Sequence, residues 1–194
     1  MLNNDPIAKF RDNPASSYKW AMPSLPLFEV ETPLGEVERF KGKVQVRVSV
    51  VRLNGQVYLL LATYGATDSG LELKSWILVE FTQIPDLLEG IDQARQFIQN
   101  LRNLPHEDWP SLTESIAKCP GSGGTTLFVH VEEYREYLDI MTSTKVDRTS
   151  SRTGQFCKFS AFEVANLIPL IVQAYDAIAE PATPSDTSEE DIDF

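Results

Sequence analysis

The 194-residue chain has few cysteines, few histidines and no long apolar run. The two cysteines, Cys119 and Cys157, have no CxxC spacing, which suits reduced thiols better than a disulfide framework. Two histidines, His106 and His130, give a metal site little support. No apolar run approaches the roughly 18 residues that cross a bilayer. The N-terminal stretch MLNNDPIAKFRDNPASSYKW is polar and holds no signal-like apolar segment, so a cytoplasmic location is expected. Bases are scarce as well: 17 Lys and Arg stand against 28 Asp and Glu, a net charge of -11. Six of those acids, and no base, lie from Glu180 onward. The rest of the chain is only mildly acidic, and local patches matter more than the total.

What is present is a packed core, with 42% hydrophobic residues. Residues 1–26, with Pro6, Pro14, Pro23 and Pro26, read as an extended arm. Residues 180–194 read as a disordered acidic tail, too polar to bury a core. Between them a pattern occurs twice. In KVQVRVSVVRLNGQVYLLLATY, Val44, Val46, Val48 and Val50 alternate with Gln45, Arg47 and Ser49, as a half-buried strand requires. Asn54-Gly55 suits a tight hairpin turn. Val57–Tyr64 and LELKSWILVEF follow as strands, and IPDLLEGIDQARQFIQNL as a helix with Pro85 and Asp86 in its first turn. The second copy runs TLFVHVEEY, REYLDIMTSTK and QFCKFS as strands, then FEVANLIPLIVQAYDAI as a helix. Ser160 and Glu163 suit a capping box there, and Pro169 predicts a kink or close-packed bend. The expected architecture is α+β: two repeats of antiparallel strands followed by a helix, over about 27–102 and 124–179, joined by a linker over 103–123.

No enzyme signature stands out. Pro120-Gly121-Ser122-Gly123-Gly124 lacks a Gly-Lys-Ser/Thr ending and precedes a strand, unlike a P-loop. His106-Glu107-Asp108 reads as a surface loop. A nucleophilic Cys157 requires a histidine such as His130 brought near by folding. No catalytic residue, cofactor or metal is therefore assigned.

The polar strand faces carry more. Lys43, Gln45, Arg47 and Ser49 share one face, Glu72, Lys74 and Trp76 another, and Tyr58 and Tyr64 a third. Lys145, Arg148, Arg152 and Lys158 surround TKVDRTSSRTGQFCKF, with Phe156 and Phe159 in the same stretch. Cations for phosphates, interleaved with rings for unstacked bases, are what single-stranded nucleic acid needs.

The element order, with KVQVRVSVVRLNGQVYLLLATY in one half and VEEYREYLDI and GQFCKFSAFEVANLIPLIVQAY in the other, resembles the Whirly and transcriptional-coactivator fold. That resemblance covers roughly residues 27–179. It implies curved sheets paired about a pseudo-twofold axis and non-enzymatic, sequence-tolerant binding of single-stranded DNA in replication, recombination or repair. The contacts it implies are Lys43, Arg47, Tyr58, Lys74, Trp76, Lys145, Arg148, Arg152, Phe156 and Lys158. A homo-oligomer is compatible with it. The alternative is a protein-interaction module on the same fold.

Glu189-Glu190-Asp191-Ile192-Asp193-Phe194 resembles the acidic tips of phage and bacterial single-stranded-DNA-binding proteins, with Asp193 where the bacterial tips carry proline. A terminal Phe presents a ring and an α-carboxylate together, suited to an apolar pocket with a basic rim. Asp186, Glu189, Glu190, Asp191, Ile192, Asp193 and Phe194 are thus expected to recruit replication or repair proteins. The closer likeness is to phage tips, which points to a phage protein.

Overall fold

The computed structural model describes residues 25–110, 112, 114–122, 125–134, 137–146 and 156–179. The arm and tail readings fall on residues 1–24 and 180–194, outside the described residues. Among the described residues, eight strands and two long helices follow in order. They are β1 (Val30–Arg39), β2 (Val44–Leu53), β3 (Gln56–Thr67), β4 (Gly70–Glu80) and α1 (Ile84–Leu101), then β5 (Ala117–Pro120), β6 (Thr125–Tyr134), β7 (Tyr137–Val146), β8 (Phe156–Ser160) and α2 (Val164–Ala179). Strands β1–β4 form sheet A and β5–β8 form sheet B, both antiparallel and in sequential order. The fold class is α+β, with the same strand-then-helix order in each half. Among the described residues, no helix is long and apolar enough to cross a membrane.

Local chemistry sets these elements. The alternating valines of β2 face inward, where Val46 and Val48 are fully buried, while Val51 turns to the other face. Asn54 and Gly55 both adopt positive φ, 53° and 75°, the turn whose twist matches a two-residue hairpin. Each helix begins the same way. The Glu80 N–H donates to Gln83 Oε1 (3.1 Å), and the Ser160 N–H donates to Glu163 Oε2 (2.6 Å). A side chain three residues on thus satisfies the backbone where each final strand ends. Helix α2 starts at Val164, after a turn, rather than directly behind Ser160. Pro169 lies exposed within one continuous helix, and its neighbour Leu170 packs against Gly35 of β1.

The helices cross over. Helix α1 packs on β5, β6 and β7, while α2 packs on β1, β2 and β3. Each helix therefore covers the sheet of the other half. Buried positions recur with a constant offset of 80 residues: Ile84 and Val164, Leu87 and Leu167, Ile91 and Ile171, Ala94 and Ala174. Together with Leu59, Leu61, Ile77, Leu127, Ile140 and Phe159 they make one core. Burying each large side chain contributes roughly 1.5–3 kcal/mol. The sheets meet near their last strands, where Thr63 Oγ1 lies 3.4 Å from the buried Cys157 Sγ.

Two strands lie where no strand was expected. Strand β1 is mostly exposed, with a bulge between Pro33 and Gly35 that blunts its alternation. Strand β5 has only four residues and falls inside the expected 103–123 linker. A corner of polar contacts secures it. Gln83 Nε2 donates to the Cys119 carbonyl (2.8 Å), and Glu80 Oε2 accepts from the Ser122 N–H (2.8 Å) and hydroxyl (2.6 Å). A Cβ at Gly121 would sit 2.6 Å from Glu80 Oε1 and 2.8 Å from the Thr125 carbonyl, so this position needs glycine. Farther along the connector, Trp109 and Leu112 pack against the core, and His106 Nε2 lies 2.9 Å from Glu133 Oε1.

Two predictions follow from this packing. Gly90 lets α1 approach sheet B, since a Cβ there would lie 2.7 Å from Ala117 Cβ and 3.0 Å from Val129 Cγ2. Gly90→Val should lower the urea unfolding free energy by about 1–3 kcal/mol. Gln83→Leu should cost a similar ~1–3 kcal/mol by stranding buried backbone groups. Unchanged midpoints for both would refute the crossed packing. Burial first, and the Glu163 carboxylate also, push the Cys157 thiol up to about 12, against a weaker opposing bond from Thr63. The unfolded thiol ionises near 9.0, so this contribution is complete below pH 9 and is lost as pH rises toward 12. The urea midpoint of the native chain should fall over that window more steeply than that of Cys157→Ala.

Candidate nucleic-acid interface

Each sheet has an inner face on the core and an outer face turned away from it. The outer face of sheet A holds most of the contacts expected in the first half. Arg47 projects there beside Glu36 (3.5 Å), with its guanidinium 4.6 Å from the centroid of the Tyr64 ring. The Tyr58 hydroxyl donates to Gln56 Oε1 (2.5 Å). Lys43 is exposed just before β2.

Lys74 and Trp76 do not share a face as simple alternation predicts. The register shifts between Thr63 and Tyr64, so Ala62 pairs with Trp76 while Tyr64 pairs with Leu73. The extra residue turns Lys74 to the opposite side, where it lies over Gly65 and pairs with Glu72. Trp76 itself is only 8% exposed. It joins Val51, Leu60 and Ala62 in a second apolar cluster, and Leu25 and Phe28, from the segment leading into β1, pack against that cluster. Its expected role as an open stacking ring is therefore corrected.

The border of this face is acidic. Glu31, Glu36 and Glu38 of β1 lie opposite Val51, Arg47 and Gln45 of β2. Glu31 accepts from the Ser49 hydroxyl (3.0 Å), and Glu38 lies at 3.4 Å from the Gln45 amide. The carboxylates engage the groups that a phosphate would use. A cavity of about 340 Å³ between these strands is lined by Glu31, Glu36, Arg47 and Tyr64 among others.

Sheet B presents a different outer face. Its register places Lys118, Phe128, Ser143 and Phe156 in one row across all four strands. The neighbouring row contains His130, Met141 and Lys158. The Phe128 and His130 rings stack with centroids 6.0 Å apart and planes 23° from parallel. The Lys158 ammonium lies 6.0 Å from the Phe156 ring and pairs with Glu132. Phe128, His130 and Phe156 are all partly exposed, and Lys118 is exposed. The backbone register sets Lys145 opposite Thr126. Arg148 and Arg152, between Val146 and Phe156, lie outside the described residues, as do Asp186 to Phe194.

Phe156 and Lys158 are thus brought together as the sequence predicts, while Lys118, Phe128 and His130 are additions. Phe159, although in the same stretch, is buried in the core. The signal for Phe128 and His130 was the alternation of TLFVHVEEY, which sets both on one face opposite Leu127 and Val129. Cys157 lies on the inner face of β8 and His130 on the outer face of β6, so they form no catalytic pair. Burial, with Asp86 adding to it, also raises the Cys119 thiol to about 12, so neither thiol ionises at neutral pH. Among the described residues, no three His, Cys, Asp or Glu side chains converge as a metal site requires.

No protein-family model matches the chain, and no curated protein matches it. Among solved structures it is similar to WHY1 from Arabidopsis thaliana, at 13% identity and a TM-score of 0.37, over 79% of this chain and 88% of that one. It is also similar to WHY3 from Arabidopsis thaliana, at 14% identity and a TM-score of 0.35, over 80% of this chain and 91% of that one.

Proposed function

We propose that the chain binds single-stranded DNA, with little regard to sequence, on the outer face of sheet B. The row from Lys118 through Phe128 to Phe156, with His130 and Lys158 beside it, carries this reading. Phe128, His130 and Phe156 offer rings to unstacked bases, which every base can use. Lys118 and Lys158 offer charge to phosphates, and Lys145, Arg148 and Arg152 extend that charge along β7 and the segment before β8. Glu132 holds Lys158 in place and is displaced as competing phosphate arrives. Sheet A, with its acidic border and covered Trp76, contributes little. The cellular role is replication, recombination or repair, with Asp186, Glu189, Glu190, Asp191, Ile192, Asp193 and Phe194 recruiting partner proteins.

One observation favours a second reading, a protein-interaction module without nucleic acid: Glu31, Glu36 and Glu38 line the outer face of sheet A beside Arg47 and Tyr64. That face suits a cationic peptide. A chain with this function alone would pass through a nucleic-acid column.

Labelled oligo-dT should bind at low salt and weaken as salt rises, with a logarithmic slope of about -0.7 per phosphate neutralised. Anisotropy reads this directly, and absence of binding at low salt would sink the proposal. Phe156→Ala and Phe128→Ser should each weaken binding roughly 5- to 150-fold, from about 1–3 kcal/mol per stacked base. Arg47→Ala, on the other sheet, should change it less than about twofold. If Arg47→Ala matches the Phe156 variant, sheet A is the working face instead. Trp76 fluorescence should stay unquenched on binding.

A further inference from the structure

A second cationic and aromatic patch lies where the start of α2 meets the end of α1 and the β1–β2 turn. Phe162 is 73% exposed and Phe40 54% exposed, although both are large apolar side chains. Each lies under a guanidinium: Arg102 stands 4.7 Å from the Phe162 ring and Arg39 stands 4.6 Å from the Phe40 ring. The two halves of the patch are tied by Arg39 Nε, 3.6 Å from the Glu163 carboxylate next to Phe162. Lys41 and Lys43 are exposed in the same turn. Phe40 and Lys41 both hold positive φ, 52° and 58°. A bulky residue rarely adopts that conformation, and such strain clusters at ligand clamps.

Two exposed rings beside three exposed cations, Lys41, Lys43 and Arg102, with Arg39 mostly buried against Glu163, suit one kind of ligand, an acidic segment that also carries apolar side chains. This chain contains such a segment. Residues 187–194, TSEEDIDF, hold four acids with Ile192 and Phe194. The distance allows it. Helix α2 has 16 residues, so its N-terminal patch lies about 24 Å from Ala179. The 15 residues beyond Ala179 reach up to about 50 Å when extended.

We infer that residues 187–194 dock on the Phe40, Phe162, Arg39 and Arg102 patch of their own chain. Phe194 lies against the exposed rings, and Glu189, Glu190, Asp191 and Asp193 face the cations. A partner protein that reads the tail must then displace it, so the patch sets the tail's availability. The docking is independent of the DNA reading and rests on that of the tail as a docking peptide.

Amide NMR spectra of the full chain and of Phe194→Ala test this. Amides of residues 39–43, 102 and 160–163 should differ between the two. Salt near 0.5 M, where charges are screened within about 4 Å, should move the native spectrum toward that of the variant. Arg102→Glu and Phe162→Ser, both at exposed positions, should reproduce the same shifts. Changes confined to residues next to 194, or a response unaltered by those variants, would overturn the docking. Differences that fade on dilution would assign the site to a second copy and overturn the same-chain arrangement. Capture of partner proteins by the full chain but not by Phe194→Ala reads the recruiting role separately, whichever way the spectra fall.

Discussion

Each helix finds its apolar partner in the other half of the chain, and the rest of the structure depends on that exchange. Neither sheet can cover its own inner face, because the helix that follows it leaves to cover the other. The main core therefore includes residues of both sheets and both helices. Small features gain weight from this. Gly90 sets how closely α1 meets sheet B, while Gln83 and Glu80 fix the corner from which β5 and β6 depart. With both inner faces occupied, the outer faces remain for ligands.

Those two faces are built on one plan and finished differently. Trp76 and Phe156 occupy corresponding positions, 80 residues apart, on the strand before each helix. Trp76 has Leu25 and Phe28 packed against its cluster, and three carboxylates border its sheet. Phe156 stands in a row with Lys118 and Phe128. Net charge describes neither face: sheet A sets three glutamates around Arg47, whereas sheet B sets Lys118 and Lys158 beside a single glutamate, Glu132. The local balance of charge differs from the total.

Much of the fold was legible in the sequence. The alternating valines of β2, the Asn54-Gly55 turn and the helical spacing from Leu87 to Ile98 all form as their periodicities require. The edge strands were not legible. Strand β1 touches the core with few residues and carries Pro33 and Gly35, and β5 is too short to show a period. The face of Lys74 was misread because a bulge adds one residue and reverses every side chain beyond it. The outer row of sheet B was half legible for a related reason. Alternation sets Phe128 and His130 on one face, but only the cross-strand register places them beside Phe156, and Lys118 sits on the strand that was missed. The cover over Trp76 was invisible because it comes from a segment with no periodicity of its own.

The crossed helices also bear on how copies of this chain could associate. A helix that seeks the sheet of the other half does not distinguish its own chain from a neighbour. What keeps the pairing internal is the stretch from Arg102 to Ile116, which acts as a tether and sets a high effective concentration of one half near the other. Trp109 and Leu112 anchor that tether to the core and shorten its free length. Release of those anchors would lengthen the free tether and lower that effective concentration.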